Sequence, residues 1–322
     1  MRSNARQIAD YIVDIFEDSE GNLWFGTMAK GIARYDGETL RYFTTADGLA
    51  GNTVVSVTED QEGTLWFGTH SGLSRYNGNT FSNYTTGQGL IHDRVSNLMF
   101  DSPGTLWIGT WGGVCRFDGE TFTDFPIPLP PVNDPWYRGT EGWVTEIMED
   151  SRGRIWFGRD GFGAARYDGQ TFTHFTKSDG LPSNGVQAII EDRQGNIWFG
   201  CRVLEHDHPD PVKRSGPGGL SRFDGNTMTN FDDLAGLHHN SVYTIYEDNT
   251  GVIWIGASGH GVYRNDGTFS LFRETNRMDL TGNFGLQAAH RDRLGTLWLG
   301  FSGGLFRIRG DDIVNVTVAG PW

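Results

Sequence analysis

The chain has 322 residues, a formal net charge of −14 and 46 glycines. That charge argues against the phosphate backbone of DNA or RNA as a partner, because binding there needs neutralising Lys and Arg, and it opposes an anionic membrane face. No apolar run is long enough to cross a bilayer, which excludes membrane insertion by a helix, and so many glycines suit short strands and tight turns.

Taken in order, the first residues, MRSNARQIAD, hold no apolar run of the signal-peptide kind. From Ile12 onward one pattern recurs, and Val54–Tyr84 is its clearest copy. VVSVTE, TLWFGT, GLSRYN and TFSNY are four short β patterns, separated by EDQEG, THSG and NGN, and read as a four-stranded antiparallel meander. Asn77-Gly78 predicts a tight two-residue hairpin turn, since both residues tolerate positive φ.

The pattern occurs seven times. The first strands start at Ile12, Val54, Val95, Val144, Val186, Val242 and Leu286, and each is followed twelve residues later by a tryptophan: Trp24, Trp66, Trp107, Trp156, Trp198, Trp254 and Trp298. Between them stands an Asp-x-x-Gly turn, from Asp18 and Gly21 to Asp292 and Gly295. The third strands carry Arg34, Arg75, Arg116, Arg166, Arg222, Arg264 and Arg307 in register, expected to be structural. A period of roughly forty residues with four strands per repeat predicts a β-propeller. The expectation is an all-β, monomeric, single domain over 1–322, seven-bladed, with four-stranded antiparallel blades. The last strand is predicted over Asp312–Val318. Each repeat is complete in itself, so no strand is exchanged between the termini and closure rests on packing of blade 7 against blade 1. Cys115 and Cys201 fall two blades apart, too far for a disulfide.

If the first strand is innermost, the first-to-second and third-to-fourth turns share one end of every blade, and these are short. The second-to-third turns and the crossovers share the other end, where both insertions fall: 126–143 between blades 3 and 4, and 201–219 inside blade 5. Such loops on a rigid scaffold commonly carry binding.

Three internal tryptophans lie off the repeat, all on the insertion side: Trp111, Trp136 and Trp143, with Tyr137 and Phe162 nearby. Flat aromatic faces suit a sugar ring or another planar ligand, against the blander reading of a local mini-core. Residues just ahead of the innermost strands, among them Tyr11, Asn52, His92, Asp93, Arg94, Glu141, Asn184 and His239, are expected around the mouth of the central channel. Arg94 could pair a carboxylate through its fork. His206, His208 and Asp210 form the nearest approach to a metal cluster, without the spacing of a dedicated site, so a divalent metal is possible and no cofactor is expected. The Asp and Glu of the ED turns recur on the other end of the blades and are not an acid–base pair.

The units VxxIxEDxxGxLWFGTxxGLxRYDG and DGLP, best seen in Val54–Gly78, Val186–Gly200 and SDGLPSNG (Ser178–Gly185), resemble the two-component regulator propeller repeat along essentially the whole chain. In that family the repeats build extracytoplasmic sensor domains, often of hybrid histidine kinases that respond to oligosaccharides. The resemblance therefore implies a periplasmic or extracellular location, with the cytoplasm as the alternative, and a non-enzymatic sensor that takes a small polar ligand or oligosaccharide. No β-sandwich, membrane helix or kinase accompanies the repeats here, which points to a sensor segment or a free-standing binding protein. A second expectation is a propeller lyase, since some polysaccharide lyases and the streptogramin lyase are also seven-bladed. His92 or His239 would then act as base, Arg94 would hold a carboxylate and Tyr11 would protonate the leaving group. A protein-binding scaffold is a third.

Overall fold

The computed structural model describes residues 7–132, 141–204, 216–231, 234, 237, 239–258, 261–272, 285–309, 312–318 and 320–322. Every repeat forms a four-stranded antiparallel sheet with its strands side by side in chain order, and the fold is a seven-bladed β-propeller. No α-helix occurs among the described residues. Contacts group the chain into two compact units. The first comprises Met1–Ile108, Cys115–Thr123 and Leu286–Trp322, and the second Gly109–Val114 and Asp124–Gly285.

Within each unit the first strands of successive blades pack on one another. In the first unit Ile12–Glu17 meets Val54–Glu59 and Leu286–Arg291, and Val54–Glu59 meets Val95–Phe100. In the second, Gly185–Glu191 meets Val144–Glu149 and Val242–Glu247. The glycine of the Trp-x-Gly motif makes this possible. A Cβ on Gly26 would lie 2.7 Å from the Val54 carbonyl oxygen, and one on Gly200 2.7 Å from that of Val242. The opening apolar residue of one blade thus seats on the bare backbone of the blade before it, and all seven such residues are buried.

The Asp-x-x-Gly turn is bound to the tryptophan that follows it. In all seven blades the indole Nε1–H donates to the turn aspartate (Asp18, Asp60, Asp101, Asp150, Asp192, Asp248 and Asp292) at 2.7–3.1 Å. The same carboxylates accept backbone N–H groups of the turn, for example Asn22 at 2.7 Å and Thr105 at 2.7 Å. The repeat arginines pair across from the tryptophans, and in blades 1 to 5 the guanidinium lies 5.4–5.9 Å from the indole centroid. A flat, weakly hydrated cation covering an indole is the structural role expected of them.

Two local expectations are corrected. The Asn77-Gly78 turn is not a two-residue hairpin: Tyr76 pairs with Phe81 across four intervening residues. Asn77 keeps a negative φ and only Gly78 is left-handed (φ 87°). The Asn77 side chain accepts the N–H groups of Asn79 and Thr80 at 3.0 and 2.9 Å, which shapes a wider turn without strain at Asn77. The last strand is also shorter than predicted, Asp312–Asn315. Beyond it Val316 N–H still reaches the Leu305 carbonyl, and the Thr317 carbonyl accepts Ile8 N–H at 2.9 Å. Among the described residues no strand is exchanged between blades. Both cysteines are buried free thiols.

Among the described residues, three crossovers carry a single 3₁₀ turn, at Thr45–Asp47, Thr86–Gln88 and Lys177–Asp179, each closed by a reciprocal capping box. Asn52, Asp93 and Asn184 then accept the N–H groups of Thr45, Thr86 and Lys177. These three polar residues ahead of the first strands therefore hold the crossovers in place.

Candidate functional site

Trp111 and Trp143 come together in the second unit. Their rings stack with centroids 4.4 Å apart and planes 26° from parallel, each side chain half-buried. Close approach of the two segments depends on Gly142, where a Cβ would lie 2.8 Å from the Trp111 carbonyl oxygen.

The neighbouring turn departs from the repeat. In blades 1 to 3 the residue after the Trp-x-Gly glycine is a threonine whose hydroxyl donates to Gly31, Gly72 or Gly113 at 2.7–2.9 Å. Blade 4 has Arg159 there, 3% exposed. Its Nη1 donates to the Pro128 carbonyl at 3.2 Å and its Nη2 to the Glu141 carbonyl, so one guanidinium braces both limbs of the blade 3–4 insertion. Burial pulls the Arg159 pKa down to about 10, partly offset by the charge of Glu141, so the group stays cationic at neutral pH. It lies 5.0 Å from the Phe162 ring centroid. Phe162, grouped from sequence with the exposed aromatics, is buried beneath it.

Blade 5 departs at the same register with Cys201 and Arg202. Burial pushes the Cys201 thiol up to about 12, so it is an inert packing group. Arg202 grips Asp160 with both nitrogens, Nε to Oδ1 at 2.6 Å and Nη2 to Oδ2 at 2.9 Å, and Gln187 adds a bond at 3.2 Å. Asp160 is 1% exposed. Sequence reasoning missed Arg159, Asp160 and Arg202. The signal was legible: FGRD and FGCR stand where three other blades read GT.

The other expected site residues sort by unit. Tyr11, His92 and Arg94 belong to the first and Glu141 and His239 to the second. Nδ1 of His92 accepts the Arg94 backbone N–H at 3.0 Å, which places the ring proton on Nε2. Arg94 and burial together push the His70 imidazole below its ordinary range, burial being the larger cause. His239 is exposed, and its Nδ1 lies 3.2 Å from the Gly216 carbonyl. Tyr11 is 36% exposed. Trp136, Tyr137, His206, His208 and Asp210 lie outside the described residues. Among the described residues no group of three His, Cys, Asp or Glu is placed to hold a metal ion.

Fold, turn box and stacked arginines define a repeat β-propeller. The family described as two component regulator propeller matches residues 7–29, 48–71, 89–112, 180–202 and 236–259, one stretch in each of blades 1, 2, 3, 5 and 6. Five of the seven blades thus carry a two component regulator propeller repeat. Blades 4 and 7 fall outside the matches yet keep the same Asp–Trp bond.

Among solved structures, the extracellular domain of a hybrid two component system of B. thetaiotaomicron is 22% identical with a TM-score of 0.73, covering 97% of this chain and 42% of its own. A second such extracellular domain, from a one component system of the same organism, is 19% identical with a TM-score of 0.62, covering 94% of this chain and 48% of its own. This chain thus spans less than half the length of either. Virginiamycin B lyase of Staphylococcus aureus, in a catalytically inactive form with quinupristin, is 13% identical with a TM-score of 0.68, covering 95% of this chain and 96% of its own. No curated protein matches. No helix among the described residues is long and apolar enough to cross a membrane.

Proposed function

We propose that this propeller is a non-enzymatic recognition module of sensor type, taking a carbohydrate-like or other small polar ligand on the crossover side of the second unit. The observation that carries the reading is the stacked Trp111–Trp143 pair, set against an insertion that the buried Arg159 holds at both ends. An indole face supplies apolar area at low entropic cost, and Glu141, two residues before Trp143, supplies a polar, charged contact. A location outside the cytoplasm fits the two extracellular domains that share the fold.

The test is calorimetric titration with a panel of neutral and uronic-acid oligosaccharides. Trp143→Ala and Trp111→Ala should each weaken binding by about 2 kcal/mol, roughly thirtyfold. The melting temperature should stay close to the parent's, since neither ring is a repeat core residue. Parental affinity in both variants would move the site elsewhere. A lyase is the second reading, favoured by the fold shared with virginiamycin B lyase, with His239 as its candidate base. New ultraviolet absorbance from an unsaturated product, lost in His239→Gln, would establish it in place of simple binding.

A further inference from the structure

A cavity lies in the first unit, at the turn ends of blades 2 and 3, and is independent of the reading above. The turn ends of neighbouring blades are joined by a recurring clasp. The residue after the turn aspartate of one blade bonds to the glutamate before the turn aspartate of the next. Ser19 donates its N–H and hydroxyl to Glu59 at 2.8 and 2.7 Å, and Ser151 does the same to Glu191 at 2.6 and 2.8 Å. Twice that residue is an arginine. Arg293 donates Nε to Glu17 at 2.7 Å and Nη2 to the Asp18 carbonyl at 2.8 Å, and Nη1 lies 2.7 Å from where a Cβ on Gly21 would stand. Arg193 likewise puts Nη2 on the Asp248 carbonyl at 3.0 Å and Nη1 3.3 Å from the same point at Gly251. The groove between turn ends is therefore a guanidinium cradle, occupied by the protein's own side chain in both cases.

Between blades 2 and 3 the clasp is missing. Phe100 stands in place of the glutamate and Gln61 in place of the arginine. Gln61 Nε2 reaches only to within 3.8 Å of the corresponding point at Gly104. Here a cavity of about 340 Å³ opens, walled by Gln61, Phe100, Gly104 and the side of Trp66. Glu59, Asp60, Glu62 and Asp118 line it against the single arginine Arg75, the Glu59 carboxylate being held by Ser19 and that of Asp60 by Trp66. Hydrogen bonds from Thr121 and Glu120 hold Asp118 below the usual carboxylate range, so it stays ionised. Phe100, half-buried and edge-on to Trp66 at 6.4 Å, offers a ring face in place of the missing carboxylate. The chain already places a guanidinium over such a ring, Arg41 at 4.5 Å from Phe43.

We propose that this cavity binds a guanidinium group from outside the chain, an arginine side chain or a small guanidinium compound. It would sit over Gly104 as Arg293 sits over Gly21, with its plane on Phe100, its N–H groups toward the Asp101 carbonyl and its charge facing Glu62 and Asp118. A negative ligand is disfavoured by the carboxylate excess.

The probe is N-acetyl-arginine amide, titrated calorimetrically at low salt beside its neutral isostere N-acetyl-citrulline amide. The arginine compound should bind roughly tenfold or more tightly than the citrulline one. Gln61→Arg should abolish binding and raise the melting temperature, because the new side chain fills the cradle as Arg293 does. Glu62→Gln should weaken binding with the fold unchanged. Free arginine separates the sources: binding equal to the amide points to a free amino acid, and weaker binding, from its carboxylate meeting the acidic wall, points to a peptide-borne side chain. No heat with the arginine amide, equal binding of citrulline, or unchanged binding in Gln61→Arg would each overturn the proposal.

Discussion

The turn ends of the blades and the crossover ends of blades 4 and 5 solve the same problem in different ways. At the turn ends one device is repeated: a carboxylate satisfied by an indole and by backbone donors, with an arginine lying on the indole. At the crossover ends of blades 4 and 5 the repeat threonine is gone, and buried charges take over, Arg159 on two carbonyls and Arg202 on Asp160. The first arrangement distributes its stability over seven equivalent bonds. The second concentrates it in two side chains beside the insertions. Departure from the repeat, more than composition or residue type, marks where the scaffold has been rebuilt.

The sharpest way to break this contrast is at the ion pair. Arg202→Met leaves a nearly fully buried carboxylate uncompensated and should cost about 3–5 kcal/mol. Combining it with Asp160→Leu should recover most of that loss, measured by thermal and denaturant unfolding of the four forms. If the single variant is as stable as the parent, the pair does not brace blades 4 and 5.

Asp60→Ala tests the repeated device. It removes the acceptor of Trp66 Nε1 and of two backbone N–H groups, and should cost about 2–3 kcal/mol, less than the ion pair because the donors are neutral. A loss under about 0.5 kcal/mol would show that the turn holds itself without the carboxylate.

Asp14 sharpens the comparison from inside the regular unit. Where Ser56 accepts the Leu98 N–H at 3.0 Å, Asp14 accepts that of Val57 at 2.6 Å, and desolvation raises its pKa from 3.8 to about 7 despite the two N–H donors it holds. The native state therefore keeps a proton that the unfolded chain releases between about pH 4 and 7. This contribution to stability is complete below the lower value and is lost as pH rises through the upper one, with a slope of at most about 1.4 kcal/mol per pH unit. Carbon NMR of the Asp14 carboxyl should show a midpoint near 7, and Asp14→Ser should flatten the melting temperature between pH 5 and 8. A midpoint near 4 would remove the effect. The smallest change expected is Glu59→Gln at the Ser19 clasp, about 0.5–1 kcal/mol at an exposed site, read from the same melts.

Most of the fold could be read from the sequence because a repeat states each rule seven times: the tryptophan spacing located every blade, and the first-strand residues are the buried ones. The Asp–Trp bond was in the same spacing but needed the turn's geometry to be seen. The Asn77 turn was misread because a dipeptide preference carries no information on loop length, which the Thr80 partner sets. At the site, Trp111 and Trp143 were singled out as off-pattern, yet their mutual stack depends on Gly142, a contact between segments distant in sequence. Phe162 was misplaced for the converse reason, since hydrophobicity does not tell an exposed ring from one lying under an arginine.

The stacked pair also gives the protein an optical handle. Seven indoles bonded to carboxylates in dry cores form a constant emission background, insensitive to what happens at the crossover side. Two half-buried indoles whose centroids are 4.4 Å apart couple their transition dipoles, and should add an exciton couplet to the ultraviolet circular dichroism of the strands. Anything that slides or parts those rings changes the couplet's sign or amplitude while leaving the background untouched. Occupancy of the crossover side could thus be followed without labels, in the presence of ligands that neither absorb nor release measurable heat.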